Sequence, residues 1–167
     1  MGENSTCKAP SSCTEVELEE FEALVRRGFP FADGRLPGRI RKSAWLASSH
    51  AADGELVGVA ALKVRTEEYR RDLFVKAGVP DGHCDYGLEL GWVFVAPSHR
   101  QSGIAGRLCR VLMERAQACG VFSTTRTDNE FMSRILLSIG FERTGKPYLY
   151  RGEELQLFLR AQISRDE

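Results

Sequence analysis

Charge of one sign is what this sequence most plainly lacks. Its 23 Lys plus Arg residues stand against 23 Asp plus Glu, a formal net charge of +0. Without an excess of either sign, no bulk field draws the chain to nucleic acid or anionic lipid, so neither is expected as a partner. Long apolar runs are missing as well. None approaches a bilayer span, and the first residues lack the charged-then-apolar order of a secretory leader, so no membrane association is expected. The five cysteines are odd in number and scattered over Cys7, Cys13, Cys84, Cys109 and Cys119. That usage argues against a disulfide framework and for reduced thiols in a cytoplasmic protein. Repeats and low-complexity tracts are absent too. Nothing separates a monomer from a homodimer.

What is present suits one globular domain: 167 residues, 43% hydrophobic and 28% charged, enough to bury a core. Residues 1–13 read as a flexible terminus or short edge strand, and 14–167 as the domain. Thr14 and Glu17 have capping-box spacing and predict a helix with Val16, Phe21, Leu24 and Val25 inward, closed by Gly28 and Pro30. Residues 44–49 and 55–64 read as a hairpin around Asp53-Gly54. A short amphipathic helix is read over 66–78. The strand Leu88–Val95 is apolar apart from Glu89, and its alternation places Leu88, Leu90, Trp92 and Phe94 on one face as core. Gly91 within it suggests a bulge or a close backbone approach. A helix follows from Ile104, with Leu108, Val111, Leu112 and Cys119 on one stripe and Cys109 and Cys119 as packed thiols. Then come a strand at 121–125 and a helix opened by Thr127 and Glu130, with Phe131, Met132, Ile135 and Ile139. A final hairpin uses 148–150 and 155–159.

The chemistry starts where the strand Val93-Phe94-Val95 breaks into Arg100-Gln101-Ser102-Gly103-Ile104-Ala105-Gly106. A helix that opens directly after a strand exposes N–H groups without internal partners at the positive end of its dipole. Those groups can hold a phosphate by main chain alone. Gly103 permits close approach, Arg100 adds a fixed charge, and Ala105 and Gly106 keep the first turn free of bulk. The turn lacks the Gly-Lys-Ser/Thr ending of a P-loop, which ranks ATP low.

These residues resemble the GNAT (general amine N-acetyltransferase) superfamily. Arg100-Gln101-Ser102-Gly103-Ile104-Ala105 fits its Gln/Arg-x-x-Gly-x-Gly/Ala motif, and Asn129 followed by Gly140-Phe141 reproduces a second spacing. The resemblance implies a mixed, mostly antiparallel sheet of about six to seven strands, splayed between the fourth and fifth and flanked by about four helices. It implies acetyl-CoA as co-substrate, with pantetheine along Val93, Phe94 and Val95 and the diphosphate on the N–H groups from Gln101 to Gly106. Asn129 would contact the cofactor near its thioester, or serve only as a helix cap. The acceptor would be a primary amine.

Glu89 lies where histone-acetylating relatives place their catalytic glutamate, eleven residues before Arg100. As the only charge in an apolar strand it is the candidate general base, and desolvation would raise its pKa. The competing role is a structural carboxylate paired with an arginine. One departure stands out: the position where many relatives carry a proton-donating tyrosine is Leu136. Water, Ser133, Tyr148 or Tyr150 would then serve, or the thiolate leaves unprotonated. The alternative function is a catalytically silent acyl-CoA-binding module. Acceptor contacts are sought in the inserted segment 65–86, at Tyr69, Arg70, Phe74, His83 and Asp85. No metal site is expected, because His83, Cys84 and Asp85 are adjacent in a loop without a partner at ligand spacing.

Overall fold

The computed structural model describes residues 4–163. Seven strands are present: β1 (Asn4–Lys8), β2 (Trp45–His50), β3 (Leu56–Val64), β4 (Tyr86–Val95), β5 (Gly120–Arg126), β6 (Glu142–Tyr150) and β7 (Glu153–Arg160). The α-helices are α1 (Glu15–Gly28), α2 (Leu36–Arg41), α3 (Glu67–Lys76), α4 (Ile104–Arg115) and α5 (Glu130–Ser138). Strand hydrogen bonding follows the order β1-β2-β3-β4-β5-β7-β6. β4 and β5 run parallel, whereas β1–β2, β2–β3, β5–β7 and β6–β7 are antiparallel. This is the anticipated mixed α/β sheet, with five α-helices in place of about four and three short 3₁₀ turns besides. The chain packs as two compact units, one formed by residues up to Lys63 with Leu90–Arg115, the other by Val64–Glu89 with residues from Ala116 onward.

In the first unit the capping box closes as read from sequence. Glu17 N–H donates to Thr14 Oγ1 at 3.1 Å and Thr14 N–H to Glu17 Oε2 at 2.8 Å. The helix buries Leu18, Phe21, Leu24 and Val25, while Val16 points outward at 61% exposure. These side chains pack with Leu36, Ile40, Leu46, Val59 and Ala61. β3 is buried on both faces from Val57 to Leu62, and α4 lies so close to it that a Cβ on Gly58 would meet Ile104 Cγ2 at 2.7 Å.

In the second unit Thr66 Oγ1 accepts from Tyr69 N–H and opens α3. Leu73, Phe74 and Ala77 then pack with Phe122, Tyr148 and Leu157. The β4–β5 register covers Tyr86↔Gly120, Leu88↔Val121 and Glu89↔Phe122. α5 corrects the sequence reading twice. Its cap is Asn129, whose Oδ1 accepts from Met132 N–H at 3.0 Å, while Thr127 Oγ1 donates to Glu154 instead. With the start shifted, Ser133 and Leu136 face inward and Phe131 is 62% exposed. β6 begins at Glu142 rather than Tyr148, because a register shift between Thr144 and Tyr148 interrupts the period-2 pattern. Gly145, in that irregularity, has φ 69°, and an added Cβ would meet Ala77 O at 2.2 Å.

Gly145→Ala should therefore destabilise the protein by roughly 2–4 kcal/mol, as backbone strain and a main-chain clash combine. Gly152→Ala, at φ 80° but with nothing within 4 Å, should cost only about 1–2 kcal/mol. Urea midpoints of the two variants check the difference; equal losses would remove the close approach as its cause.

Candidate active site

The turn after β4 is built to leave main-chain donors outward. Ala96 N–H returns to Val57 O at 2.8 Å, anchoring the strand end. Past the 3₁₀ turn Pro97–His99, Gln101 and Gly103 adopt φ 63° and 79°. Alternation of left- and right-handed residues turns successive N–H groups into a concave anion nest. Among the described residues, the first N–H at this helix start that reaches a main-chain acceptor is that of Arg107, to Gly103 O at 3.1 Å. Those of Ile104, Ala105 and Gly106 are the orphan donors of a helix N-terminus.

The charges around this turn have the sign an anion would need. No acid lies in the first turn of α4. A Cβ on Gly103 would sit 3.2 Å from Arg107 Nη1, and one on Gly106 would sit 3.2 Å from Arg110 Nη1. Arg107 Nη1 donates to Ser102 O at 3.0 Å, so its guanidinium folds back toward the positive helix end with Arg110 beside Gly106, and an anion there would complement both charges. Arg100 Nε is committed to Val95 O at 3.0 Å, and its guanidinium lies 5.5 Å from the centroid of Phe94. Arg107 and Arg110 escaped the sequence reading. Their signal was position, four residues after Gly103 and Gly106, where a side chain leans back over the preceding turn.

β4 departs from simple alternation here. Trp92 has φ 50°, so the irregularity falls one residue after Gly91. Gly91 instead makes room for Lys63, whose Cε would lie 2.7 Å from an added Cβ. Lys63 Nζ then stands 4.9 Å from the Trp92 ring centre. Phe94 packs on Gly28, where a Cβ would meet its ring at 2.3 Å. Its side chain therefore belongs to the core, and what Val93–Val95 offer a ligand is backbone.

Glu89 is buried at 4% exposure. Arg65 Nε approaches its Oε2 at 2.9 Å, and the Arg65 guanidinium in turn stacks 3.7 Å from the centre of the Tyr69 ring. Tyr69, Tyr148 and Tyr150 are electrostatic neighbours of this pair. Burial, then the Glu89 charge, pushes the Tyr69 hydroxyl up to about 12. Burial chiefly, then Tyr69 and Glu89, raises that of Tyr148 as well. Its hydroxyl is buried, and the Thr124 side chain beside it acts in the opposite, lowering direction. Arg65 was not singled out from sequence, since no spacing rule links positions 65 and 89.

The other candidates sit in varied surroundings. Phe74 is 0% exposed and packed in the core. Arg70 Nη1 donates to His83 O at 2.9 Å and Tyr86 O at 3.3 Å, bracing the segment 65–86 from within. His83 Nδ1 lies 2.9 Å from Pro80 O, and Asp85 is exposed. Asn129 spends its side-chain oxygen on the α5 cap. Leu136 and Ser133 are both buried. Cys109 is packed, its thiol pushed up to about 12 by burial, but Cys119 lies beyond α4 and is exposed.

A seven-stranded mixed sheet with a phosphate-type turn opening the helix after its fourth strand defines an acyl-CoA transferase class of fold. The acetyltransferase (GNAT) family model matches residues 12–141, and the chain belongs to that family of acyltransferases. Among solved structures it is similar to an acyl-CoA N-acyltransferase from Pseudomonas aeruginosa, with TM-score 0.69 and 16% identity over 96% of this chain and 100% of that one. Arabidopsis thaliana NAA60 in complex with a bisubstrate analogue gives TM-score 0.68 and 16% identity over 95% and 98%. The ribosomal-protein-S18-alanine N-acetyltransferase of Escherichia coli gives 0.67 and 14% over 98% and 97%. Comparison with curated proteins gave no match. No helix among the described residues is long and apolar enough to cross a membrane.

Removing one partner of a buried ion pair strands the other charge. Arg65→Gln should cost roughly 3–5 kcal/mol, and Arg65→Gln/Glu89→Gln should recover most of it. Denaturant titration of the single and double variants measures this, and a double variant no better than the single would show that the pair is not coupled. A pH prediction concerns Tyr69. Unfolded tyrosine ionises near 10, and the folded value is about 12. The folded state therefore holds the proton longer, so stability is full below pH ~10 and is lost as pH rises through about 12. Tyr69→Phe should flatten the fall of the urea midpoint across that window; an unchanged slope would contradict the assignment.

Proposed function

We propose that this chain is an acetyl-CoA-dependent N-acetyltransferase that moves the acetyl group directly to a primary amine. The observation that carries the reading is the turn from Gln101 to Gly106. Its outward N–H groups, two left-handed residues and overhanging Arg107 and Arg110 suit a diphosphate. When bound, acetyl-CoA supplies an activated thioester. Backbone of Val93–Val95 holds the pantetheine arm, and its N–H groups polarise the carbonyl under attack.

A lysine-type ammonium must lose its proton before its nitrogen can attack, at a cost of roughly 4–5 kcal/mol at pH 7. Glu89 accepts that proton, through water, as the N–C bond forms and the C–S bond breaks. The Arg65 guanidinium orients the carboxylate. Tyr148 is the candidate donor to the leaving sulfur: its raised value keeps the hydroxyl protonated. The Arg65 ion pair also favours a second reading, in which Glu89 is structural and the fold serves as an acyl-CoA-binding module.

Acetyl-CoA at 100 times its dissociation constant should stabilise the protein by about 2.7 kcal/mol, and Gly103→Ala should weaken binding about tenfold through strain at the turn. Glu89→Gln should leave acetyl-CoA affinity intact and slow CoA release with an amine panel ~100-fold. Wild-type turnover in Glu89→Gln removes it as base. Tight binding without turnover by the wild type selects the silent module.

A further inference from the structure

The geometry points to a divalent transition-metal site, of the kind zinc occupies, formed by Glu67, His83 and Cys84. It lies outside the acetyl-transfer machinery and does not depend on the proposed reaction. From sequence only the adjacent His83, Cys84 and Asp85 are visible, with no partner at ligand spacing, so no metal site is expected. The fold adds Glu67 from the first turn of α3, beside the 3₁₀ turn Pro80–Asp85 that carries the other two.

The distances match a shared ion. His83 Nε2 lies 3.5 Å from Cys84 Sγ and 3.9 Å from Glu67 Oε1, and one donor atom from each residue falls within 4.8 Å of the others. Zn–S near 2.3 Å and Zn–N or Zn–O near 2.0–2.1 Å in a tetrahedron require N···S of about 3.5 Å and N···O of about 3.3 Å. The imidazole–thiolate edge already has that length, the imidazole–carboxylate edge exceeds its value by about half an ångström, and the carboxylate must move inward to close on the thiolate, which lies within 4.8 Å. Glu67 is free to do so, being 67% exposed in its side chain.

The imidazole, in contrast, is held. Its Nδ1 sits 2.9 Å from Pro80 O, which as acceptor fixes the proton on Nδ1 and leaves the Nε2 lone pair toward the cluster. A backbone carbonyl behind a histidine ligand is the usual second support of a metal site. The ring is further wedged edge-on against Phe74 at 6.4 Å between centroids, and Arg70 clamps the His83 carbonyl. One histidine is thus oriented in advance, with a flexible thiol and carboxylate beside it. The mixed N, S and O donors select zinc-like ions over magnesium or calcium. Three protein ligands leave a fourth position open to water or an incoming group.

The test uses the reduced, metal-free full chain. Zn²⁺ competition against a chromophoric chelator should show one equivalent bound, and Co²⁺ should give a thiolate-to-metal charge-transfer band. Cys84→Ser and His83→Gln should each weaken Zn²⁺ binding at least tenfold, and Glu67→Gln by less. Cys119→Ser, another exposed thiol, should change nothing. Metal-free urea midpoints guard against loss of fold. Zn²⁺ should also slow modification of Cys84 by a thiol reagent. Absence of stoichiometric uptake, or uptake that Cys84→Ser leaves intact, would overturn the site; so would an equal loss in Cys119→Ser.

Discussion

Main-chain N–H groups that no carbonyl can reach are the constraint on which the function proposed for the first unit rests. A helix starting directly after a strand cannot satisfy its first donors. Two left-handed residues, Gln101 and Gly103, aim the preceding donors into the same space. The molecule places no carboxylate there to neutralise the helix end and instead overlays Arg107 and Arg110. Arg107 is held there by Ser102 O, and an anion would complement the positive charge of both side chains and of the helix end. Gly58, by letting α4 rest directly on β3, gives that turn a rigid base.

The second unit depends on a different economy. Glu89 is deeply buried, and the chain answers its desolvation with Arg65, which Tyr69 in turn covers with its ring face. A carboxylate so held keeps a defined orientation, which favours proton transfer to one place and resists wandering into solvent. The same pair is what a purely structural carboxylate would have, so its chemistry rests on turnover rather than on geometry. Tyr148, with a buried hydroxyl beside Thr124, adds a further polar group to this cluster.

Elements with strong local signals were legible before any coordinates. The α1 cap, the Asp53-Gly54 hairpin and the glycine turn after β4 each depend on residues within a few positions of one another. α5 was misphased because two capping residues, Thr127 and Asn129, compete within one turn. The competition was settled by a partner far along the chain, since Thr127 bonds Glu154. Phe74 was a candidate acceptor contact in the segment 65–86; its burial comes from packing with Phe122, Tyr148 and Leu157. Cys119 looked like a continuation of the α4 stripe, yet the helix stops at Arg115.

The amino-acid order by itself determined the class of fold, the candidate anion-binding turn and the candidate carboxylate, since hydrophobic period, glycine placement and a lone charge in an apolar strand are local properties. Only the tertiary structure decided the partners: Arg65 for Glu89, Glu67 for His83 and Cys84, and the guanidinium groups over the helix end. The reason is physical. A side chain's charge state and chemistry are set by what lies within a few ångströms in space, and strand pairing brings those groups from positions that no sequence period connects.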